Sequence, residues 1–300
     1  MEKVVATIGM FDGVHLGHQD LLRHLREEAE KSGCSSLAVT FSNHPSSVIT
    51  GIAPKLISTP EEKSQRLFMC RVGKVLTTTF DNHLRAMTAR EYIQYLRDEY
   101  NVKTLILGFN NRFGCDTSLT FDDYVKIGKN EGVKIIRMPE YFVDGTKVNS
   151  TIIREHIMAG DISAANHLLG YEFSLEGEVV FGKQVGRTIG FPTANIEVVR
   201  EKIIPGNGVY ACRAMLKDHS IHPAMVNIGT RPTIDGKNSN VTIEAHIIGI
   251  DKKLYGNRIT LSFVSRLRDE RKFEDIDALK AQLEKDKLDT LEIIPETDKE

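Results

Sequence analysis

The stretch VVATIGMFDGVHLGH, residues 4–18, decides the fold of the first part of this chain. Its opening residues, Val4–Ile8, are apolar or small and predict a buried strand. The apolar residues that come after the stretch recur at helical spacing: Leu21, Leu22, Leu25 and Ala29. Gly33 predicts the end of that helix. A glycine-rich turn therefore joins a strand to a helix, and this context suits anion binding because backbone N–H groups and the helix dipole point at the turn.

The alternation of strand and helix continues to about residue 138. Further strands are predicted at Leu37–Phe41, Val72–Thr79, Val102–Leu107 and Val133–Met138. Helices are predicted from Pro60, with Thr59 as N-cap and Glu62 at the third helical position, at Ala89–Tyr100 and at Phe121–Asn130. This order predicts an α/β unit whose parallel sheet is covered on both faces.

The pattern changes near residue 172. Residues 152–169 are mostly helical, with a break near Gly160. Short β-rich runs follow at Glu176–Phe181, Val209–Leu216, Ile221–Ile228, Val241–Ile248 and Arg258–Val264. They predict a small antiparallel barrel or sandwich, and a last helix then carries Phe273, Ile276, Leu279 and Leu283 on one face. We therefore predict two domains, residues 1–172 and residues 173–300.

The composition is that of an ordinary globular protein. The 300 residues include 39 Lys plus Arg and 41 Asp plus Glu, for a net charge of −2. This balance argues against a nucleic-acid partner, because no basic surplus is available to neutralise many phosphates. The sequence contains no run of about 18 apolar residues, so no membrane span is predicted. The apolar h-region of a secretory signal is not found before the first glycine-rich turn either. The four cysteines form no Cys-x-x-Cys pair, so we expect reduced thiols in a cytoplasmic protein.

The first turn combines glycines and histidines. Gly9, Gly13 and Gly17 let a backbone approach a ligand closely. His15 and His18 are three residues apart and share a face on a helical turn. Their imidazoles could donate hydrogen bonds to phosphate oxygens as charge builds on a leaving pyrophosphate. A metal site and a capped turn are the alternatives, but no third metal ligand is evident, and the glycines favour phosphate binding.

A second glycine-rich loop, residues 182–190, lies in the β-rich part. Lys183 and Arg187 make it positive, which suits phosphates, although a long hairpin loop would also be glycine-rich. Thr193 and Asn195 would share a face if extended, and their oxygens suit Mg²⁺. Glu244 interrupts an apolar run and is either a solvent-facing strand residue, which alternation alone favours, or a catalytic base.

These motifs resemble those of a known family. Residues 9–18 read Gly-x-Phe-Asp-Gly-Val-His-x-Gly-His, which resembles the nucleotidyltransferase signature of prokaryotic bifunctional riboflavin kinase/FMN adenylyltransferases. Residues 40–45, 108–114 and 149–154 resemble three further segments of that half, with departures at Asn43, Asn111 and Asn149. Residues 182–195 resemble the riboflavin kinase signature, and residues 205–210, 227–233, 242–246 and 267–273 resemble later parts of the kinase domain.

The resemblance implies a Rossmann-like nucleotidyltransferase sheet followed by a Greek-key β-barrel with a terminal helix. It also implies two reactions: riboflavin and ATP give FMN, and FMN and ATP then give FAD and pyrophosphate. Magnesium would assist, and riboflavin, FMN and ATP would be the ligands.

The resemblance also implies roles for individual residues. In the adenylyltransferase, His15 and His18 would be catalytic. The nucleotide there would be bound by Gly9, Phe11, Gly13, Gly17, Ser150, Thr151 and Arg154. In the kinase, the ATP loop would include Gly182, Lys183, Gly186 and Arg187. Thr193 and Asn195 would hold Mg²⁺, and Glu244 would be the base. Flavin contacts would come from His44, Asn110, Phe113 and Arg268.

Two rival hypotheses remain open at this point. One is a related cytidylyl- or adenylyltransferase with another acceptor, whose barrel only binds flavin. The other is a non-catalytic flavin-sensing protein. Thr193, Asn195 and Glu244 together argue against the first, because a barrel that only binds flavin does not need that set, and both complete motif sets argue against the second. The sequence leaves open whether the chain forms a homo-oligomer.

Overall fold

The computed structural model describes residues 2–182, 186, 189–232, 239–250 and 252–295. Its chain divides into two compact units, Met1–Ser150 and Thr151–Glu300. The domain boundary predicted at residue 172 marks the change in sequence pattern and stays a prediction. Lys183 and Arg187, both predicted to bind nucleotide, lie outside the described residues.

The first unit is built on a parallel sheet. Its strands are β1 (Val4–Ile8), β2 (Ser35–Phe41), β3 (Lys74–Thr78), β4 (Val102–Leu107) and β5 (Lys134–Arg137), in the order β3-β2-β1-β4-β5. The helices are α1 (Leu16–Ser32), α2 (Pro45–Ile49), α3 (Pro60–Met69), α4 (Asn82–Ala86), α5 (Ala89–Tyr100) and α6 (Phe121–Asn130). A short hairpin, β6 (Phe142–Val143) and β7 (Thr146–Lys147), follows.

Successive side chains of β1 pack into separate cores on the two faces of this sheet. Val4, Ala6 and Ile8 belong to one buried cluster, and Val5 belongs to the other with Leu22. The predicted parallel sheet with two covered faces is confirmed. In such sheets, ligands bind beyond the carboxyl ends of the strands where the strand order reverses, which here is next to β1.

The predicted end of α1 and the predicted start of α3 are both confirmed. Gly33 adopts the left-handed conformation, with φ 63°, and caps α1. The Thr59 hydroxyl accepts from the Glu62 backbone N–H, and the Glu62 carboxylate accepts from the Thr59 N–H. This capping box fixes where α3 begins.

The second unit contains a closed barrel. After α7 (Ser150–Ala159) and α8 (Ile162–Leu169) come β8 (Ser174–Val180), β9 (Ala194–Val198), β10 (Gly208–Met215), β11 (Ile221–Pro232), β12 (Ser239–Ile247) and β13 (Arg258–Arg268). The order around the barrel is β10-β11-β12-β9-β8-β13, and the neighbours that pair are antiparallel. The structure therefore selects the barrel over the sandwich, and the fold class is confirmed.

The last helix, α9 (Ile276–Ile293), differs from the expectation. Phe273 precedes the helix, and Ile276 is 64% exposed. The helix packs through Leu283, as predicted, and through Leu291, and both contact a small core cluster. No helix in the described part of the chain is long and apolar enough to cross a membrane.

Candidate functional sites

Three residues of the loop between β1 and α1 adopt the left-handed backbone conformation. Phe11, Gly13 and Val14 have φ values of 51°, 79° and 34°. At Gly13 a Cβ atom would also lie 2.9 Å from Cγ2 of Ile57. This position therefore needs glycine both for its backbone conformation and for the close approach of the neighbouring segment.

Asp12 ties this loop to the segment before α3. It is 2% exposed, and its carboxylate accepts from the backbone N–H groups of Ile57, at 3.0 and 3.1 Å, and Ser58, at 3.0 Å. The Gly13 N–H donates to the Ser58 hydroxyl at 2.9 Å. Asp12 thus holds the loop in its conformation through buried hydrogen bonds, which fits a structural role for the acidic residue in the motif.

The two histidines of the motif are brought together. His15 is the N-cap of α1, and its Nδ1 accepts from the His18 backbone N–H at 3.3 Å. In the neutral ring the proton is therefore on Nε2. The His15 and His18 rings stack with their centroids 3.7 Å apart and an interplanar angle of 14°. Phe11 meets the His18 ring edge-on at 5.1 Å.

Burial is the main reason that His18 stays neutral. It lowers the His18 pKa well below the ordinary 6.5, and the positive charges of His15 and Lys63 lower it further. Its Nδ1 is buried and finds no hydrogen-bond partner among the described residues. His18 would therefore meet a phosphate at neutral pH as a neutral hydrogen-bond donor.

Lys63, on α3, is the residue that sequence reasoning missed. Its side chain is buried, and Nζ donates to the carbonyls of Phe41, at 2.6 Å, and Met10, at 3.2 Å. Burial lowers the Lys63 pKa to about 8, against the opposing effect of Asp12. The signal was available in the sequence, because Lys63 is four residues before the buried Leu67 and so shares its helix face.

A cavity of about 470 Å³ opens beside the β1–α1 loop. Gly9 and Met10 line it together with apolar and aromatic side chains that include Phe41, Phe80, Tyr92 and Phe113. Arg85 and Arg112 line it as well. Its size and its largely apolar wall suit a planar aromatic ligand.

The predicted flavin residues of this unit fall in different places. Phe113 lies in the cavity wall between the rings of Tyr92 and Tyr124, at 5.6 and 4.8 Å. His44 is the N-cap of α2, and its Nδ1 accepts from the Ser46 N–H at 3.2 Å. Asn110 is exposed and does not line the cavity.

The departures from the family pattern have local roles. The Asn43 amide pairs with the backbone of Phe80, accepting from its N–H at 2.8 Å and donating to its carbonyl at 2.9 Å. The Asn111 amide donates to the carbonyl of Ile8, at the end of β1. Both amides therefore join segments around the cavity.

Ser150 reaches the first loop. Its hydroxyl donates to the carbonyl of Asp12 at 3.1 Å. The α7 helix begins at Ser150, so this residue takes the first helical position. Thr151 and Arg154 follow on α7 in the second unit, where Thr151 is exposed and Arg154 is half-buried.

On the barrel, three polar residues lie side by side. Glu244 on β12 is directly opposite Asn195 on β9 and Asn227 on β11. Directly opposed residues of antiparallel strands share a face. Glu244 is half-buried between the buried Ile243 and Ala245, so its side chain leaves the barrel interior. Thr193 comes two residues before Asn195 and lines a small cavity of about 70 Å³ that Asn195, Asn227 and Glu244 do not line.

Gly182 and Gly186 of the second loop each lie in close contact with a neighbouring group. A Cβ atom at Gly182 would overlap the Asn195 side chain. A Cβ atom at Gly186 would overlap the carbonyl oxygen of Phe191, and the Gly186 carbonyl accepts from the N–H groups of Ile189, at 3.2 Å, and Phe191, at 2.9 Å, and so closes a turn. The absence of a side chain at Gly182 thus leaves the space that the Asn195 amide occupies.

Arg268 is bound to α9. Its guanidinium forms a forked ion pair with Asp286, with N···O distances of 2.7 to 3.0 Å. The carboxylate of Asp286 is buried, and Nη1 of Arg268 donates to the Asp269 carbonyl. The side chain predicted to contact flavin therefore also holds the last helix to the barrel.

Comparison with known proteins finds relatives along nearly the whole chain. A FAD synthetase family model matches residues 1–152, and a riboflavin kinase family model matches residues 169–294. The bifunctional riboflavin kinase/FMN adenylyltransferase of Escherichia coli strain K12 is 36% identical over 289 residues, which cover 96% of this chain and 91% of that protein. The Bacillus subtilis strain 168 protein of the same name is 32% identical over 295 residues, covering 96% and 92%.

A solved structure extends this similarity to the fold. The crystal structure of a Streptococcus pneumoniae protein described as a macrolide-efflux protein superposes with a TM-score of 0.88 at 30% sequence identity. The match covers 96% of this chain and 94% of that one.

Proposed function

The chain belongs to the family of bifunctional riboflavin kinase/FMN adenylyltransferases, and on that premise we propose how its residues divide the two reactions. The enzyme phosphorylates riboflavin with ATP to FMN and then transfers an adenylyl group from a second ATP to FMN, giving FAD and pyrophosphate. The observation that supports the division is that the stacked His15–His18 pair and the Asn195–Glu244 pair lie in different compact units.

In the first unit, the cavity would receive the flavin ring of FMN, with Phe113 in its wall. The FMN phosphate then attacks the α-phosphorus of ATP, and the bond from that phosphorus to the leaving pyrophosphate breaks. Positioning and charge stabilisation do most of the work in such transfers. His15 and His18 would donate to phosphate oxygens.

The rest of the nucleotide site would come from backbone and from α7. Gly9, Gly13 and Gly17 allow the loop, with Phe11, to approach the nucleotide. Ser150, Thr151 and Arg154 would clamp the triphosphate, where an arginine can fork onto two oxygens. His44 and Asn110 are proposed as further phosphate or flavin contacts.

In the second unit, Glu244 would accept the proton of the riboflavin 5′-hydroxyl as that oxygen attacks the γ-phosphorus of ATP. Thr193 and Asn195 would hold Mg²⁺, and their hydroxyl and amide oxygens fit this hard cation beside a carboxylate. When bound, Mg²⁺ neutralises charge on the transferring phosphates. Lys183 and Arg187 would contact ATP phosphates from the loop that also contains Gly182 and Gly186.

Arg268 would shape the flavin side of this second site from its position against α9. Riboflavin, FMN and ATP are the proposed partners, and the net charge of −2 gives no basis for a nucleic-acid partner. We place the protein in the cytoplasm, where ATP is available and free thiols stay reduced.

A barrel that only binds flavin is the alternative that deserves a test. The Glu244–Asn195 register favours catalysis, because binding alone does not need a carboxylate beside a magnesium ligand. The experiment is to incubate the protein with riboflavin, ATP and MgCl₂ and to separate the flavins by chromatography. We expect FMN and then FAD, both abolished by a chelator of divalent cations. FAD from added FMN without any FMN from riboflavin would favour the binding-only barrel.

A further inference from the structure

The ammonium group of Lys63 joins two strand ends. Nζ donates to the carbonyl of Met10, in the loop after β1, and to the carbonyl of Phe41, at the last residue of β2. The Thr40 hydroxyl also donates to the Met10 carbonyl, at 3.1 Å. The hydrogen bonds to the Met10 and Phe41 carbonyls therefore fix the loop that leads to His15 and His18 against the end of β2.

Both bonded residues belong to the wall of the proposed flavin cavity. Met10 and Phe41 line it, and Met10 is also part of the loop that leads to His15 and His18. A displacement of one carbonyl relative to the other would change the distance between the flavin side and the nucleotide side of the site. In-line transfer depends on that distance, and a misplacement of about 1 Å can cost roughly 100-fold in rate.

A packing role alone does not explain the choice of lysine. The side chain is 2% exposed, and removing an ammonium group from water is costly even when it is hydrogen-bonded. A methionine would fill similar space without that cost. The charge also acts on the site, because it is one of the groups that lower the pKa of His18.

We propose that Lys63 is a positioning residue for adenylyl transfer, because its ammonium group holds the β1–α1 loop against the end of β2 and so fixes the nucleotide side of the site relative to the flavin cavity. The inference rests on the proposed function of the first unit. Asp12 is the charged group that opposes deprotonation of Lys63, while His15 and Lys63 are the charged groups that act on His18.

The test compares Lys63→Met and Lys63→Gln with the wild-type protein in both half-reactions. We expect kcat for FAD formation from supplied FMN to fall about 100-fold in both variants, with the KM for ATP changed by less than about threefold. Riboflavin phosphorylation should stay within about twofold of wild type. Lys126→Met removes an exposed lysine of the same unit and serves as the control, with no expected effect.

Two readouts separate positioning from mere stability. The charge-assisted hydrogen bonds from Lys63 to Met10 and Phe41 weaken when the ammonium loses its proton near pH 8, so wild-type FAD formation should show an alkaline limb there that is absent from the residual activity of the variants. The His18 pKa, followed by NMR, should rise in Lys63→Met because one of the charges that lower it is gone.

The outcomes are distinct. No FAD from the wild-type protein would refute the proposed function itself. A folded variant with FAD formation within threefold of wild type would overturn the role of Lys63. If both variants fail to fold, the wild-type pH profile decides, and a rate that stays flat through pH 8 to 9 would overturn the role as well.

Discussion

The buried carboxylate of Asp12 offers the sharpest stability prediction. In Asp12→Ala, the backbone N–H groups of Ile57 and Ser58 lose the acceptor that they meet at 3.0 Å. Both residues are buried, at 1% and 3% exposure, so water does not readily replace the carboxylate. At about 1.5–3 kcal/mol for each hydrogen bond to a charged group, the first unit should lose roughly 3–6 kcal/mol of unfolding free energy. Asp12→Asn keeps one acceptor oxygen and should lose about half as much.

The assay is urea unfolding followed by circular dichroism, with hydrogen-exchange mass spectrometry to assign the loss to peptides of residues 2–150. Asp122→Ala removes an exposed carboxylate from the first turn of α6 and should cost less than about 1 kcal/mol. Riboflavin phosphorylation should survive in all three variants, because its proposed site is in the other unit. A loss below about 1 kcal/mol in Asp12→Ala would refute the view that this carboxylate holds the loop.

Three further predictions concern pH, a close contact and an ion pair. Because the folded state lowers the His18 pKa below 6.5, the unfolded chain binds a proton there more readily, and the unfolding free energy of the first unit should fall as pH drops below about 6.5. Urea unfolding at several pH values should show a smaller fall in His18→Gln than in the wild-type protein. Gly182→Ala should push the Asn195 side chain aside and slow riboflavin phosphorylation by at least about tenfold while FAD formation from supplied FMN is unchanged, and equal rates would contradict the contact. Arg268→Met leaves the buried Asp286 carboxylate unpaired and should destabilise the second unit by roughly 3 kcal/mol in urea unfolding, so an unchanged midpoint would count against the ion pair.

Much of the architecture could be predicted because it depends on local patterns. The apolar run Val4–Ile8 and the capping box of Thr59 and Glu62 are complete within a few residues, and both lie where expected. Strand β9 was not predicted from the sequence: Ala194–Val198 alternates apolar and polar residues, but the run is only five residues long and begins with alanine and asparagine, which are weak strand formers. Its place between β8 and β12 depends on pairing with strands far away in sequence.

The geometry of the candidate sites also depends on contacts that local sequence patterns do not contain. The motifs indicated that His15 and His18 act together, but their ring stacking and the low pKa of His18 depend on burial that only the fold supplies. The buried position of Lys63 and the pairing of Asn43 with Phe80 join residues that are far apart in sequence. No local pattern contains such contacts, although the helical face of Lys63 indicated its burial.

The central claim is that one chain carries two separate sites, and reciprocal variants test it most directly. FMN formation from riboflavin and FAD formation from supplied FMN are measured for Glu244→Gln and His18→Ala, alone and mixed. We predict that Glu244→Gln makes FAD from FMN but no FMN from riboflavin, that His18→Ala does the reverse, and that the mixture makes FAD from riboflavin. Loss of both activities in either variant, in a protein that remains folded, would contradict the two-site account.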